Sequence, residues 1–256
     1  MSPQALEQLA IQKKSLLCVA LDPSEDALGT EGAQSVSQVE RRLCSIIEHT
    51  APYAIAYKLN TAFYERWGEA GWALMRRLRQ FLPPGVLSIA DAKRGDIAYT
   101  NRYYAQALYE DLGFDAVTLH PYMGWKALEP FWSYPEKWAF VLLRTTEAPD
   151  WQSCIWRQIL AERPEGLSST VGWVWGAHHT NSELVELRAL RPMDWLLMPG
   201  VGAQGAEISA HSPIYPALIV VGRALLQNPQ EAPSWAAKTA MYLPPRTEAT
   251  GRFELP

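Results

Sequence analysis

Short apolar runs recur along the chain, most of them closed by a polar or charged residue. They are Leu16 to Leu21 before Asp22, Tyr53 to Leu59 with Lys58 near its end, Val86 to Ala90 before Asp91, and Ala116 to Leu119 before His120. Further on come Trp138 to Leu143 before Arg144-Thr145-Thr146, Val171 to Trp175, Trp195 to Met198 before Pro199-Gly200, and Ala217 to Val221 before Gly222-Arg223. Runs that are apolar on both faces predict strands of a buried parallel sheet. Amphipathic segments of helical length lie between and around them: about Pro3 to Lys14, Val36 to Glu48, Ala62 to Phe81, Ile97 to Asp111, Trp125 to Trp132, Asp150 to Glu162 and Ser182 to Leu190. Eight strands alternating with helices imply an α/β fold, a single-domain (β/α)8 TIM barrel whose chemistry gathers at the C-terminal ends of its strands. Residues 1–243 are assigned to that barrel with its short N-terminal helix, and residues 244–256 to a C-terminal tail. The stretch from Gly29 to Gln38 reads as a polar loop.

The third junction concentrates charge. In Ser88-Ile89-Ala90-Asp91-Ala92-Lys93-Arg94-Gly95-Asp96-Ile97, Asp91 and Lys93 are two apart at a strand end, so alternation turns both to the same side. Gly95 permits a sharp turn and Asp96 can cap the helix that follows. The motif alone is equally compatible with a surface ion pair followed by an ordinary N-cap. At the other end of the chain, Pro199-Gly200-Val201-Gly202-Ala203-Gln204-Gly205 follows the seventh strand and Gly222-Arg223 follows the eighth. Backbone N–H groups that glycine leaves accessible, with an arginine beside them, suit a phosphate at the position where barrels often hold one. A plain loop and a surface arginine are the alternative.

Composition narrows the partners. With 256 residues and a formal charge of −4, no basic field for nucleic acid exists, so an anionic ligand must be held by local groups and a small phosphorylated metabolite fits best. Cys18, Cys44 and Cys154 are far apart and odd in number, which suggests neither a disulfide framework nor a zinc site. The first fourteen residues carry Gln, Glu and two Lys without a continuous apolar core. With no apolar run near the roughly 20 residues that span a bilayer, no membrane association and a cytoplasmic location are expected.

Four motifs then carry a resemblance. Asp91-Ala92-Lys93-Arg94-Gly95-Asp96-Ile97, Lys58-Leu59-Asn60-Thr61-Ala62-Phe63-Tyr64-Glu65, His120-Pro121-Tyr122-Met123-Gly124 and the Pro199 to Gly205 loop together resemble the orotidine 5′-phosphate decarboxylases, from about Leu16 to Leu226. The resemblance implies an enzyme without cofactor or metal, a homodimer with sites at the subunit interface, that converts orotidine monophosphate to uridine monophosphate. It implies that Lys58, Asp91, Lys93 and Asp96 form an alternating charge network, with Asp96 supplied by the partner subunit and Lys93 donating a proton to pyrimidine C6. Asp22 and Lys58 are implied as ribose contacts, with Thr100 from the partner another, and Ile97 as a further substrate contact. Gln204, on a loop that closes over the substrate, and Arg223 are implied as phosphate ligands, beside Pro199, Gly202 and Gly222.

Thr146 is assigned the pyrimidine contact. This chain reads Thr145-Thr146-Glu147-Ala148-Pro149 where the bacterial subgroup with slightly longer chains, which it resembles most, commonly has Thr-Ser-Asn-Pro, so one hydroxyl replaces another. His178 and His179 lack a matched carboxylate or third ligand and read as loop residues. His120 reads as packed, and the eleven tryptophans as barrel-to-helix packing. Arg76, Arg77 and Arg79 read as a solvated face. Two alternatives stand beside the decarboxylase: a magnesium-dependent sugar-phosphate lyase of the hexulose-phosphate synthase type, which places an acidic metal ligand where this chain has Lys58, and a non-catalytic barrel that binds nucleotide monophosphates.

Overall fold

A computed structural model describes residues 1–29, 35–147, 150–167, 169–179, 181–201 and 212–244. Eight parallel strands close into a barrel in sequence order: β1 (Leu17–Ala20), β2 (Ala56–Asn60), β3 (Leu87–Arg94), β4 (Ala116–Leu119), β5 (Trp138–Arg144), β6 (Thr170–Trp175), β7 (Leu196–Met198) and β8 (Ala217–Val221). Closure follows from β1 pairing on both edges, Cys18 with Ala56 of β2 and with Val220 of β8. Nearly every strand residue is buried, because the barrel interior fills one face and helices cover the other.

The helices are α1 (Pro3–Lys13), α2 (Glu25–Leu28), α3 (Val36–Thr50), α4 (Ala62–Glu65), α5 (Gly68–Phe81), α6 (Ala98–Ala105), α7 (Glu129–Trp132), α8 (Asp150–Ala161), α9 (Asn181–Leu190), α10 (Arg223–Gln227) and α11 (Ala232–Ala240). Helix α3 shows why they dock: Val39, Leu43, Ile46, Ile47 and Thr50 fall on one stripe and all are buried. Helix α1 starts at Ser2, whose hydroxyl accepts the Ala5 N–H, and packs Leu6 and Ala10 into the core. The indole of Trp138, the first residue of β5, donates to the Met1 carbonyl, so α1 lies at the N-terminal end of the barrel. Most of the tryptophans pack as the sequence suggests, with Trp156 of α8 edge-on to Trp175 of β6 and both fully buried, whereas Trp151 of α8 is exposed.

Several boundaries differ from the sequence expectation. The third strand runs on through Asp91 to Arg94 instead of stopping at Ala90. The helix expected over Ala62 to Phe81 breaks at Trp67, where Gly68 takes φ +54°. The one expected over Ile97 to Asp111 begins at Ala98 and passes into a π-helical turn over Gln106–Asp111, where the Tyr109 hydroxyl reaches the Trp138 carbonyl. Arg76, Arg77 and Arg79 are not simply solvated: they pair with Asp111, Glu40 and Asp115. Among the described residues no helix is long and apolar enough to cross a membrane. Of the tail assigned to 244–256, only Pro244 is among the described residues.

Candidate active site

The C-terminal ends of the strands ring one cavity of about 320 Å³. Its wall takes Asp22 from beyond β1, Lys58 and Asn60 from β2, Asp91 and Lys93 from β3, Thr145 and Thr146 from beyond β5, Val174 from β6, Pro199 and Gly200 from beyond β7, and Gly222 and Arg223 from beyond β8. Function at this end was expected from the fold, and most of the charged candidates converge there.

Four of them form an unbroken alternation of sign. Lys58 Nζ lies 3.0 Å from Asp22 Oδ2 and 3.0 Å from Asp91 Oδ2, and Lys93 Nζ lies 2.7 Å from Asp91 Oδ1. Burial rises toward the middle: the side chains of Lys58 and Asp91 are 6% and 10% exposed, while that of Lys93 is 45% exposed. Desolvation opposes the charged form of Lys58, but the two carboxylates outweigh it and hold the ammonium above its ordinary pKa. Desolvation likewise opposes the Asp91 carboxylate, and Lys58 and Lys93 overcome it, leaving Asp91 well below the usual carboxylate range. Asp22 takes the Asn60 N–H as well, at 3.0 Å. The array is therefore pinned at its buried end and open at Lys93.

Lys93 has an unusual backbone. Its φ is +46°, a left-handed conformation that costs a non-glycine residue on the order of 1–2 kcal/mol. The β3–β4 register shifts between Ala90 and Arg94, so the strand is irregular at this point. Residues held in such conformations gather at functional sites, where surrounding contacts over-determine them.

Beyond Lys93 the chain leaves the cavity wall: Asp96, Ile97 and Thr100 are not among the lining residues, and Ile97 is exposed. Asp96 does not cap α6 as expected: Ile97 is the N-cap, and Asp96 Oδ1 accepts the neighbouring Ile97 N–H at 2.7 Å. Buried Asn101 fixes this turn, accepting the Asp96 N–H at 3.2 Å and donating to the carbonyls of Asp96 at 2.7 Å and Ala127 at 2.6 Å. Gly95 is required by close packing, since a Cβ there would fall 2.5 Å from the His120 ring. His120 is thus a packed residue, and its N–H bonds the Arg94 carbonyl.

With this geometry in place, the model of the orotidine 5′-phosphate decarboxylase / HUMPS family matches residues 15–238. The chain belongs to that family. A decarboxylase of this name from Thermomicrobium roseum is 38% identical over 244 residues, covering 87% of this chain and 85% of the relative. One from Dehalococcoides mccartyi is 37% identical over 220 residues, covering 81% and 79%. The solved structure of Leishmania donovani OMP decarboxylase superposes with a TM-score of 0.77 at 32% identity, covering 94% of this chain and 98% of that one.

Of the residues assigned from the orotidine 5′-phosphate decarboxylase resemblance, the cavity brings together Asp22, Lys58, Asp91, Lys93, Thr146, Pro199, Gly222 and Arg223. Gly202 and Gln204 lie outside the described residues. Thr145 and Thr146 divide the labour: the Thr145 hydroxyl is engaged by Gln152 and the Glu147 carbonyl, whereas Thr146 only lines the cavity among the described contacts. His179 holds this loop from below, with Nε2 donating to the Thr145 carbonyl at 2.8 Å and Nδ1 accepting from Arg144 at 3.2 Å. Burial lowers its pKa, in keeping with a neutral ring in that role. Asn60, Asn101 and Thr118 went unassigned in the sequence; each is a polar residue whose part depends on which strand end or turn comes to lie beside it.

Proposed function

We propose that the chain removes the carboxylate from C6 of orotidine 5′-phosphate, leaving carbon dioxide and uridine 5′-phosphate. The observation that supports this most is the array itself, a chain of opposite charges ending on a half-exposed ammonium in a cavity that Arg223 also lines. When the C6–carboxylate bond breaks, its electron pair stays on a ring carbon with little delocalisation. A cation already fixed beside that carbon stabilises the charge without reorganising at the moment of reaction. Lys93 then gives C6 a proton and recovers one from water. Asp91 orients the ammonium, and Lys58 keeps Asp91 ionised. Asp22 and Lys58 hold the ribose hydroxyls and Thr146 meets the pyrimidine edge. Arg223 grips the phosphate, whose binding energy, remote from C6, is available to position the ring.

The lyase alternative fits less well. The Lys58 ammonium sits between the two carboxylates that a divalent cation would need, and it would repel that cation. The test follows the ultraviolet absorbance of orotidine 5′-phosphate with purified protein, with and without a chelator. Turnover unchanged by the chelator is expected. A flat trace with tight uridine 5′-phosphate binding would favour a non-catalytic barrel, and turnover lost to the chelator would favour metal chemistry.

The working unit in this reading is a homodimer: Asp96, Ile97 and Thr100 are not among the residues lining their own cavity, and in this reading they serve that of a second copy. Asp96→Ala and Lys93→Ala should each be nearly inactive alone. When subunits exchange at random, half of the dimers are mixed and each mixed dimer has one intact site, so roughly a quarter of parent activity should return. No recovery after demonstrated exchange would place both residues in one subunit's site. A cytoplasmic location goes with this reading, and free thiols at Cys18, Cys44 and Cys154 suit a reducing compartment.

A further inference from the structure

We propose that Thr118 of β4 is a positioning residue for Lys93, locking its backbone and its charge partner with a single hydroxyl. The proposal rests on the decarboxylase reading of the site. Thr118 is fully buried and does not line the cavity. Its Oγ1 donates to Asp91 Oδ1 at 2.8 Å and accepts the Lys93 backbone N–H at 2.9 Å. Since Asp91 Oδ1 also receives Lys93 Nζ at 2.7 Å, the bonds form a closed ring through backbone N–H, hydroxyl, carboxylate and ammonium. Lys93 is therefore held at both ends of its side chain by groups that also hold each other.

The sheet itself explains why a side chain is needed. Every buried N–H must find an acceptor, and the β3–β4 ladder is irregular where its register shifts between Ala90 and Arg94. With φ at +46°, Lys93 directs its N–H to the Thr118 hydroxyl. That bond compensates an otherwise disfavoured conformation, and the hydroxyl's own proton is thereby committed to Asp91. A threonine hydroxyl has one proton to give and lone pairs to accept with, so a single atom can serve both partners. Valine, its isostere, can serve neither. Serine can serve both.

The experiment compares Thr118→Val and Thr118→Ser with the parent. Thr118→Val is expected to lower kcat by roughly 10- to 100-fold, the scale of losing a hydrogen bond to a charged group at a reacting centre. KM for orotidine 5′-phosphate and Kd for uridine 5′-phosphate should stay within about threefold, since Thr118 touches no ligand. Thr118→Ser should recover most of kcat. The Lys93 amide, read by hydrogen exchange, should be protected in the parent and in Thr118→Ser and should exchange faster in Thr118→Val. Unchanged kcat in Thr118→Val, equal losses in both variants, or a loss confined to KM overturns the proposal. Should Thr118→Val fail to fold, Thr118→Ala takes its place with the same expectations. A parent that does not turn over orotidine 5′-phosphate would instead sink the decarboxylase reading, and amide exchange alone would then decide whether the hydroxyl holds Lys93.

Discussion

Lys93→Ala is expected to reduce turnover of orotidine 5′-phosphate by roughly 10⁴-fold or more while leaving uridine 5′-phosphate binding within a few-fold. Two contributions disappear together. General acid catalysis by a positioned group is worth about 10²–10⁴-fold, and a preorganised charge facing a developing anion about 10²–10³-fold. They share one ammonium and do not multiply fully, which sets the expectation at or somewhat above the upper end of the general-acid contribution alone. Binding is spared because the ribose and phosphate groups are assigned to Asp22, Lys58 and Arg223, on other strands. The fold is spared because the Lys93 side chain is 45% exposed and Asp91 keeps Lys58 as a partner. Initial rates by absorbance and product affinity by calorimetry separate the two effects. Near-normal turnover would remove Lys93 from the proton-donor role.

The eight strands were legible because a strand covered on both faces has few polar positions to confuse the pattern. Charge hid the end of one of them. Hydropathy stops β3 at Ala90, yet the strand continues to Arg94 because Asp91 is neutralised by Lys58 and Lys93 rather than by solvent. A similar limit applies to the helices: the apolar stripe continues across Trp67, so periodicity alone cannot show the break before α5. The charged side chains of the site were legible because few reasons exist to place acids and lysines at successive strand ends. Their supports were not. Thr118 acts on residues 25 and 27 positions away, and nothing marks a threonine in an apolar strand as more than a β-branched filler until β4 is laid beside β3. Asn101 likewise looked like one more polar position on a helix, while it is buried and ties the Asp96 turn to Ala127.

Asp91→Asn should damage both the fold and the reaction. The four charges Asp22, Lys58, Asp91 and Lys93 sum to zero; the substitution leaves a net positive charge centred on a nearly buried ammonium. An amide cannot repair it. If its oxygen stays with Thr118 and Lys93, its NH₂ faces Lys58 Nζ, where the carboxylate oxygen had been an acceptor at 3.0 Å. Removing one partner of a buried pair costs about 3–5 kcal/mol. Because Lys58 retains Asp22 and Lys93 is half exposed, about 3 kcal/mol is expected, or roughly 6–12 °C in Tm for a chain of this size. The pH dependence fixes the sign. Asp91 has a folded pKa below its unfolded value, so its contribution is whole above about pH 4 and fades as the pH falls through the folded value. The gap between parent and variant should therefore be full at neutral pH and narrow on acidification. Turnover should fall with stability, since the ammonium loses the carboxylate that aims it. A variant as stable as the parent at neutral pH and active on orotidine 5′-phosphate would show that Lys93 is aimed by something other than the alternation of charge.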